Sequence, residues 1–119
     1  MHPFPPADEF QCLVGEVIER VALNPFLTSF SIGGSELVLE HRLSHIEPDG
    51  TVRDYDCVGD GGPPLALHRL LMKRIVAIDR QELNLTLTFE GGARLIAFSE
   101  IGPYESGRFS AASGRYLVF

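Results

Sequence analysis

Two histidines, a cluster of aspartates and one Tyr-Glu-Arg group are the raw material for a site in this chain. His41 and His45 stand four residues apart, a spacing at which two imidazoles share a metal ion when they lie on a helix. Asp54, Asp56 and Gly59 match the first, third and sixth positions of a calcium loop. Val58 and Leu65 stand at the fifth and twelfth, where oxygen ligands are needed. Tyr104, Glu105 and Arg108 bring a phenol, a carboxylate and a guanidinium close together. Such a trio serves acid/base chemistry in a cleft, or forms an ion pair beside a packed tyrosine. No serine sits in a G-x-S-x-G turn, and Gly59-Asp60-Gly61-Gly62 lacks the Lys-Ser/Thr of a phosphate loop. The residues therefore name no catalytic group, no metal and no cofactor. They leave Tyr104, Glu105, Arg108 and His68 as candidate ligand-binding positions, with His41 and His45 expected at the surface.

The elements that must position these side chains are mostly strands. Residues Leu13 to Glu40 and Leu70 to Phe98 read as one pattern used twice, an apolar entry strand followed by a hairpin on a Gly-Gly pair. In the first copy Phe26, Thr28, Phe30 and Ile32 share one parity before Gly33-Gly34. In the second, Leu83, Leu85, Leu87 and Phe89 alternate with polar residues before Gly91-Gly92. Period-2 alternation marks half-buried strands, and the glycines supply the positive φ that tight hairpins need. The first strand is expected from near Gln11, with Asn24-Pro25 as a turn or bulge. On the strand ending near His45, a four-residue spacing separates side chains by roughly 13 Å, so the two histidines do not chelate there. Pro63-Pro64 followed by Leu67, Leu70 and Leu71 predicts one short helix of about two turns. Tyr116-Leu117-Val118-Phe119 is apolar enough to be a closing strand.

Neither copy buries its apolar face alone, so the expected fold is mainly β. It is a sandwich or partly open barrel of two related hairpin units plus one short helix. Residues 1–10, with three prolines near the start, are expected as a flexible arm, and residues 11–119 as one β domain. The expected core is Val17, Ile18, Val21, Phe30, Ile32, Leu37, Leu39, Ile75, Ile78, Leu85, Leu87, Phe89 and Leu95.

The order Gly15-Glu16-Val17-Ile18, two Gly-Gly hairpins, then Pro103-Tyr104-Glu105 resembles a family of small bacterial β-rich domains of unknown function. The resemblance covers most of the chain after the proline-rich start. It implies the fold, and no activity, cofactor or site residue.

Composition narrows the function classes. Of 119 residues, 16 are acidic and 10 basic, a formal net charge of −6, and the adjacent basic pair is Lys73-Arg74. Phosphate backbones and anionic membranes attract basic clusters, so neither nucleic acid nor membrane is an expected partner. The start has no basic n-region or apolar h-region, and no apolar run nears the roughly 20 residues of a membrane helix, which points to the cytoplasm. Cys12 and Cys57 are too few for a disulfide scaffold, and their pairing is left open. Two classes follow. One is a non-catalytic protein-binding or accessory, immunity-type module, a monomer rather than a homodimer. The other is a small enzyme or ligand carrier with a pocket between the two hairpin units.

Overall fold

Alternating apolar and polar residues turn nearly half of this chain into strands. The computed structural model describes residues 2–58 and 64–119. The strands are β1 (Ile18–Asn24), β2 (Leu27–Ile32), β3 (Ser35–Leu39), β4 (Arg42–Ile46), β5 (Val52–Asp56), β6 (Ile75–Arg80), β7 (Asn84–Phe89), β8 (Arg94–Phe98), β9 (Gly107–Ser110) and β10 (Tyr116–Val118). They form two antiparallel sheets of five, ordered β1-β2-β3-β9-β10 and β5-β4-β8-β7-β6. The sheets make a sandwich and not a closed barrel.

The repeat is real and extends further than the Gly-Gly hairpins. Ile18 of β1 corresponds to Ile75 of β6, Leu27 to Asn84, and Ile32 to Phe89, all at one constant offset. Both opening strands carry a register shift just after their first residue, between Ile18 and Arg20 and between Ile75 and Ala77. A bulge there strengthens the local twist. Phe30 and Ile32 of β2 and Leu85, Leu87 and Phe89 of β7 point into the core. The two Gly-Gly turns differ by one residue. Ile32 pairs with Ser35 across Gly33-Gly34, while the Phe89 amide donates to Ala93 O across Glu90-Gly91-Gly92.

Each copy is a three-stranded meander rather than an entry strand plus one hairpin. Asn24-Pro25 makes its own turn, with Asn24 Oδ1 accepting the amides of Phe26 and Leu27 at 2.8 and 3.0 Å. The chain before each meander is a 3-10 helix, over Ala7–Leu13 and over Leu67–Leu70. The first takes the place of the strand expected from Gln11, and the second is a single turn where two turns of helix are expected. The reason lies in spacing. Phe10 and Leu13, like Leu67 and Leu70, are three apart and all buried, and three residues per turn stacks them on one face.

The residues expected as a flexible arm are packed. Phe4 and Phe10 are 1% and 0% exposed. The Phe4 ring lies 4.3 Å from that of Phe119, and Phe10 lies 5.1 Å from Phe109. The Phe4 amide donates to Glu82 O at 2.9 Å, and Arg80 Nη2 donates to Phe4 O at 2.6 Å. Burying aromatic rings outweighs the polyproline tendency of the segment. The rest of the expected core is buried, except that Val17, Val21 and Ile78 are half-buried.

After its meander each copy sends a hairpin to the other sheet. The β4–β5 hairpin adds to β8, and the β9–β10 hairpin adds to β3. His45 pairs with Leu95 as Phe109 pairs with Leu37, and His45 opposes Arg53 as Phe109 opposes Leu117. The two hairpin turns match down to their bonds. Gly50 N donates to Glu47 O and Gly114 N to Ala111 O, both at 2.9 Å. The molecule is thus two β-units that exchange their last hairpins.

Candidate ligand-binding site

Matching the halves position by position locates a place where they diverge in chemistry. On β9 and β10 the inward row is Phe109 and Leu117, with Ala111 at the turn. The same row on β4 and β5 is His45 and Arg53, with Glu47 at the turn. An aromatic, an aliphatic and a methyl group are replaced by an imidazole, a guanidinium and a carboxylate.

His45, expected at the surface, is instead 1% exposed. Its strand has the alternation that carries Leu43 inward, and His45 follows at the same parity. Burial pushes its imidazole below the ordinary pKa of 6.5. The cations Arg53 and Arg69, with His68, push it the same way, against the opposing pull of Glu47. The ring is therefore neutral near pH 7, and its Nδ1 is buried with no hydrogen-bond partner among the described residues. A buried polar atom left unpaired is a rare and costly arrangement.

Glu47 is buried at the start of the β4–β5 turn and accepts hydrogen bonds from two guanidiniums, Arg53 and Arg69. These bonds hold its carboxyl below the usual carboxylate range. Asp49 caps the same turn, its Oδ1 accepting the Thr51 amide at 2.9 Å, and that bond lowers its pKa too. Glu47 thus meets a guanidinium on each oxygen, whereas Asp49 is bonded by Thr51 within its own turn and meets no cation in an ion pair among the described residues.

These side chains open onto a cavity of about 470 Å³, within the range of small-molecule sites. The buried residues His45, Glu47, Leu70 and Ala93 line it, with the exposed Asp49, Lys73 and Glu90. Both halves build it: β4 and its turn come from the first, while the Leu67–Leu70 turn and the Glu90–Gly92 turn come from the second. Glu90 Oε1 accepts the Arg74 amide at 3.2 Å. The equivalent corner of the first half is filled differently. A Cβ on Gly33, the counterpart of Glu90, would meet Glu16 side-chain atoms at 2.5 Å, and the Ala112 amide donates to Ser35 Oγ at 3.0 Å.

The four candidate positions from the sequence are spread out. His68 is exposed on the turn beside Arg69, close enough for its charge to act on His45. Tyr104 is 80% exposed on the β8–β9 connection, with Glu105 exposed beside it. Arg108 sits on β9 and pairs with Glu40 at 2.8 Å. His41 faces Glu100 at 3.7 Å and does not meet His45. Asp54 accepts a hydrogen bond from Ser44, and Asp56 Oδ1 accepts the Val58 amide at 3.0 Å. Residues 59–63 of that acidic loop lie outside the described residues. Cys12 and Cys57 are both free thiols, Cys12 exposed and Cys57 buried, with burial pushing the Cys57 thiol up to about 11.

The residues missed from the sequence are Glu47, Asp49, Lys73 and Glu90, which read singly as turn or surface charges. Aligning Phe109 and Leu117 with His45 and Arg53 is the signal that finds Glu47 and Asp49; Lys73 and Glu90 emerge only from the packing of the two halves. Comparison of the chain with protein-family models, with characterised proteins and with solved structures finds no match.

Proposed function

We propose that this domain binds a small polar molecule in the cavity between its two halves, as a ligand carrier or sensor module and not as an enzyme. The observation that supports this reading is the departure from internal symmetry. Positions that are apolar core in one half carry a buried imidazole, a guanidinium and a carboxylate in the other, around open space. An apolar set there would stabilise the fold at least as well, since buried charges are weak stabilisers. Retaining an unpartnered His45 Nδ1 makes sense when a ligand supplies the missing hydrogen bond. Binding rather than catalysis follows from Glu47. Its two guanidinium partners hold it ionised and lower its basicity, which makes it a poor base for the neighbouring imidazole.

A heteronuclear NMR screen of small metabolites tests the proposal. Binders should move the amides of residues 45–49, 69–73 and 90–93, and His45→Phe, which copies the Phe109 side of the molecule, should abolish the shifts. A screen whose hits map elsewhere, or survive His45→Phe unchanged, counts against the cavity.

The protein-docking reading is favoured by a different observation. Ile101 and Tyr104 are 69% and 80% exposed on one connection, and exposed aromatics are common anchors at interfaces. An acidic domain suits a basic partner, and two free thiols suit the reducing cytoplasm. The monomer is preferred because β10 is already covered on one side by β9. Tyr104→Ala should weaken such a complex and leave small-molecule binding intact.

A further inference from the structure

We infer that the ligand is a small zwitterion of amino-acid type, its carboxylate held by Lys73 and Arg69 and its ammonium by Asp49 and Glu90. This rests on the cavity being the binding site, and it adds the chemical class.

The cavity wall carries both signs of charge. Glu47, Asp49 and Glu90 line it with Arg69 and Lys73, and Arg53 is not in the wall but pairs with Glu47. With Glu47 already met by two guanidiniums, the wall offers separated positive and negative poles to a molecule that carries both charges. The poles are also available. Lys73 is exposed and makes no ion pair among the described residues. Arg69 is 59% exposed and uses Nη1 on Glu47, leaving other N–H groups of its fork to donate. On the acidic side, Asp49 and Glu90 are both exposed and neither is in an ion pair among the described residues; Glu90 bonds one backbone amide through Oε1, and Asp49 is bonded by the Thr51 amide and side chain. Glu47 is not assigned to the ammonium because its negative charge is already met by two guanidiniums.

The interior supplies the rest of the recognition. Pro48, Leu70 and Ala93 give the cavity apolar wall, suited to a short aliphatic stem. His45 Nδ1 is a lone hydrogen-bonding atom within that wall, so a neutral polar group on the stem would satisfy it. The first half has none of these features. The counterparts of Arg69, Lys73, Asp49 and Glu90 are Cys12, Glu16, Ser113 and Gly33, which offer no cation and a single carboxylate.

Titration calorimetry and NMR on the intact chain test the inference. The probes are free α-amino acids at about 10 mM, where a millimolar Kd leaves the site about tenfold over half-saturation. Each is paired with its N-acetyl and its carboxamide derivative. At least one free amino acid should shift residues 45–49, 69–73 and 90–93, and capping either end should weaken it about tenfold or more, the worth of one charge-assisted bond. Lys73→Gln should abolish the preference for a free carboxylate, and Asp49→Asn with Glu90→Gln the preference for a free amine. All three substitutions keep the backbone bonds at those positions, so folding is preserved. Capped derivatives that bind as well as the free amino acids would overturn the zwitterion while leaving the cavity as the site. Silence from every amino acid, with a neutral or singly charged metabolite shifting the same residues, would do the same. Shifts confined to other surfaces would overturn both readings.

Discussion

Gly15 and Met72 each donate their amide to the other half of the molecule, Gly15 to Ile75 O and Met72 to Ile18 O, both at 2.8 Å. They hold the same place before β1 and β6, and both have positive φ, 92° and 63°. Glycine takes that conformation freely, whereas a residue with a Cβ is strained there by about 1–2 kcal/mol. Met72→Gly should therefore stabilise the fold by about 0.5–1 kcal/mol, the strain less glycine's greater unfolded-state entropy. Met72 is 67% exposed, so little packing is lost. Gly15→Ala should cost about 1–2 kcal/mol through φ alone, since a Cβ there meets nothing within 4 Å. Urea denaturation of both variants checks the pair, and shifts in the same direction would contradict the account.

Phe4 should behave as a core residue despite its place near the chain start. Phe4→Ala removes a ring that is 1% exposed and stacked on Phe119, and should cost about 3–5 kcal/mol. Leu87→Ala, on the central face of β7, should cost about 2–5 kcal/mol. Phe26→Ala, 71% exposed at a hairpin turn, is the control and should shift the midpoint little.

Acid should destabilise the wild type more than His45→Phe. The folded pKa of His45 lies below its ordinary 6.5, chiefly through burial, with Glu47 opposing and Arg53, Arg69 and His68 reinforcing the shift. Between those two values the unfolded chain binds a proton that the native protein excludes. The contribution is thus present above about pH 6.5 and is lost as pH falls toward the folded pKa. Denaturation midpoints at about pH 7.5 and 5.5 measure it, and equal losses in both proteins would contradict it.

The two thiols should differ sharply in reactivity. Cys57 is 6% exposed with a pKa raised to about 11, so almost no thiolate is present at about pH 8, while Cys12 is open to solvent. A thiol reagent should modify one cysteine in the native protein and two after denaturation. Fast modification of Cys57→Ser at Cys12, and slow modification of Cys12→Ser at Cys57, would assign them.

The strands were legible because alternation is local. Leu85, Leu87 and Phe89 reveal their burial to any reader of six residues, and each Gly-Gly pair marks its turn. The 3-10 turns were not, since Phe10 and Leu13 show two apolar points that a strand also permits. Phe4 was hidden for another reason: prolines describe the local chain, and only the distant Phe119 and Arg80 hold the segment down. The cavity was the least visible part. His45, Arg69 and Glu90 come together through antiparallel pairing of β4 with β8 and through the turn before β6. No short window contains any two of them. Glu47 and Asp49 look like ordinary turn charges until the two hairpins are laid over each other.

The exchange of hairpins makes this chain the equivalent of a strand-swapped homodimer joined end to end. In such dimers each protomer completes the other's sheet, and neither is whole alone. Residues 1–58 on their own would leave β3 with a bare edge and β4–β5 with no sheet to join, a surface prone to pairing with any available strand. Two separate half-chains should therefore fold on mixing and not before. Because the cavity takes one wall from each, ligand affinity would appear only with reassembly, so occupancy of the site doubles as a readout of whether the halves have met.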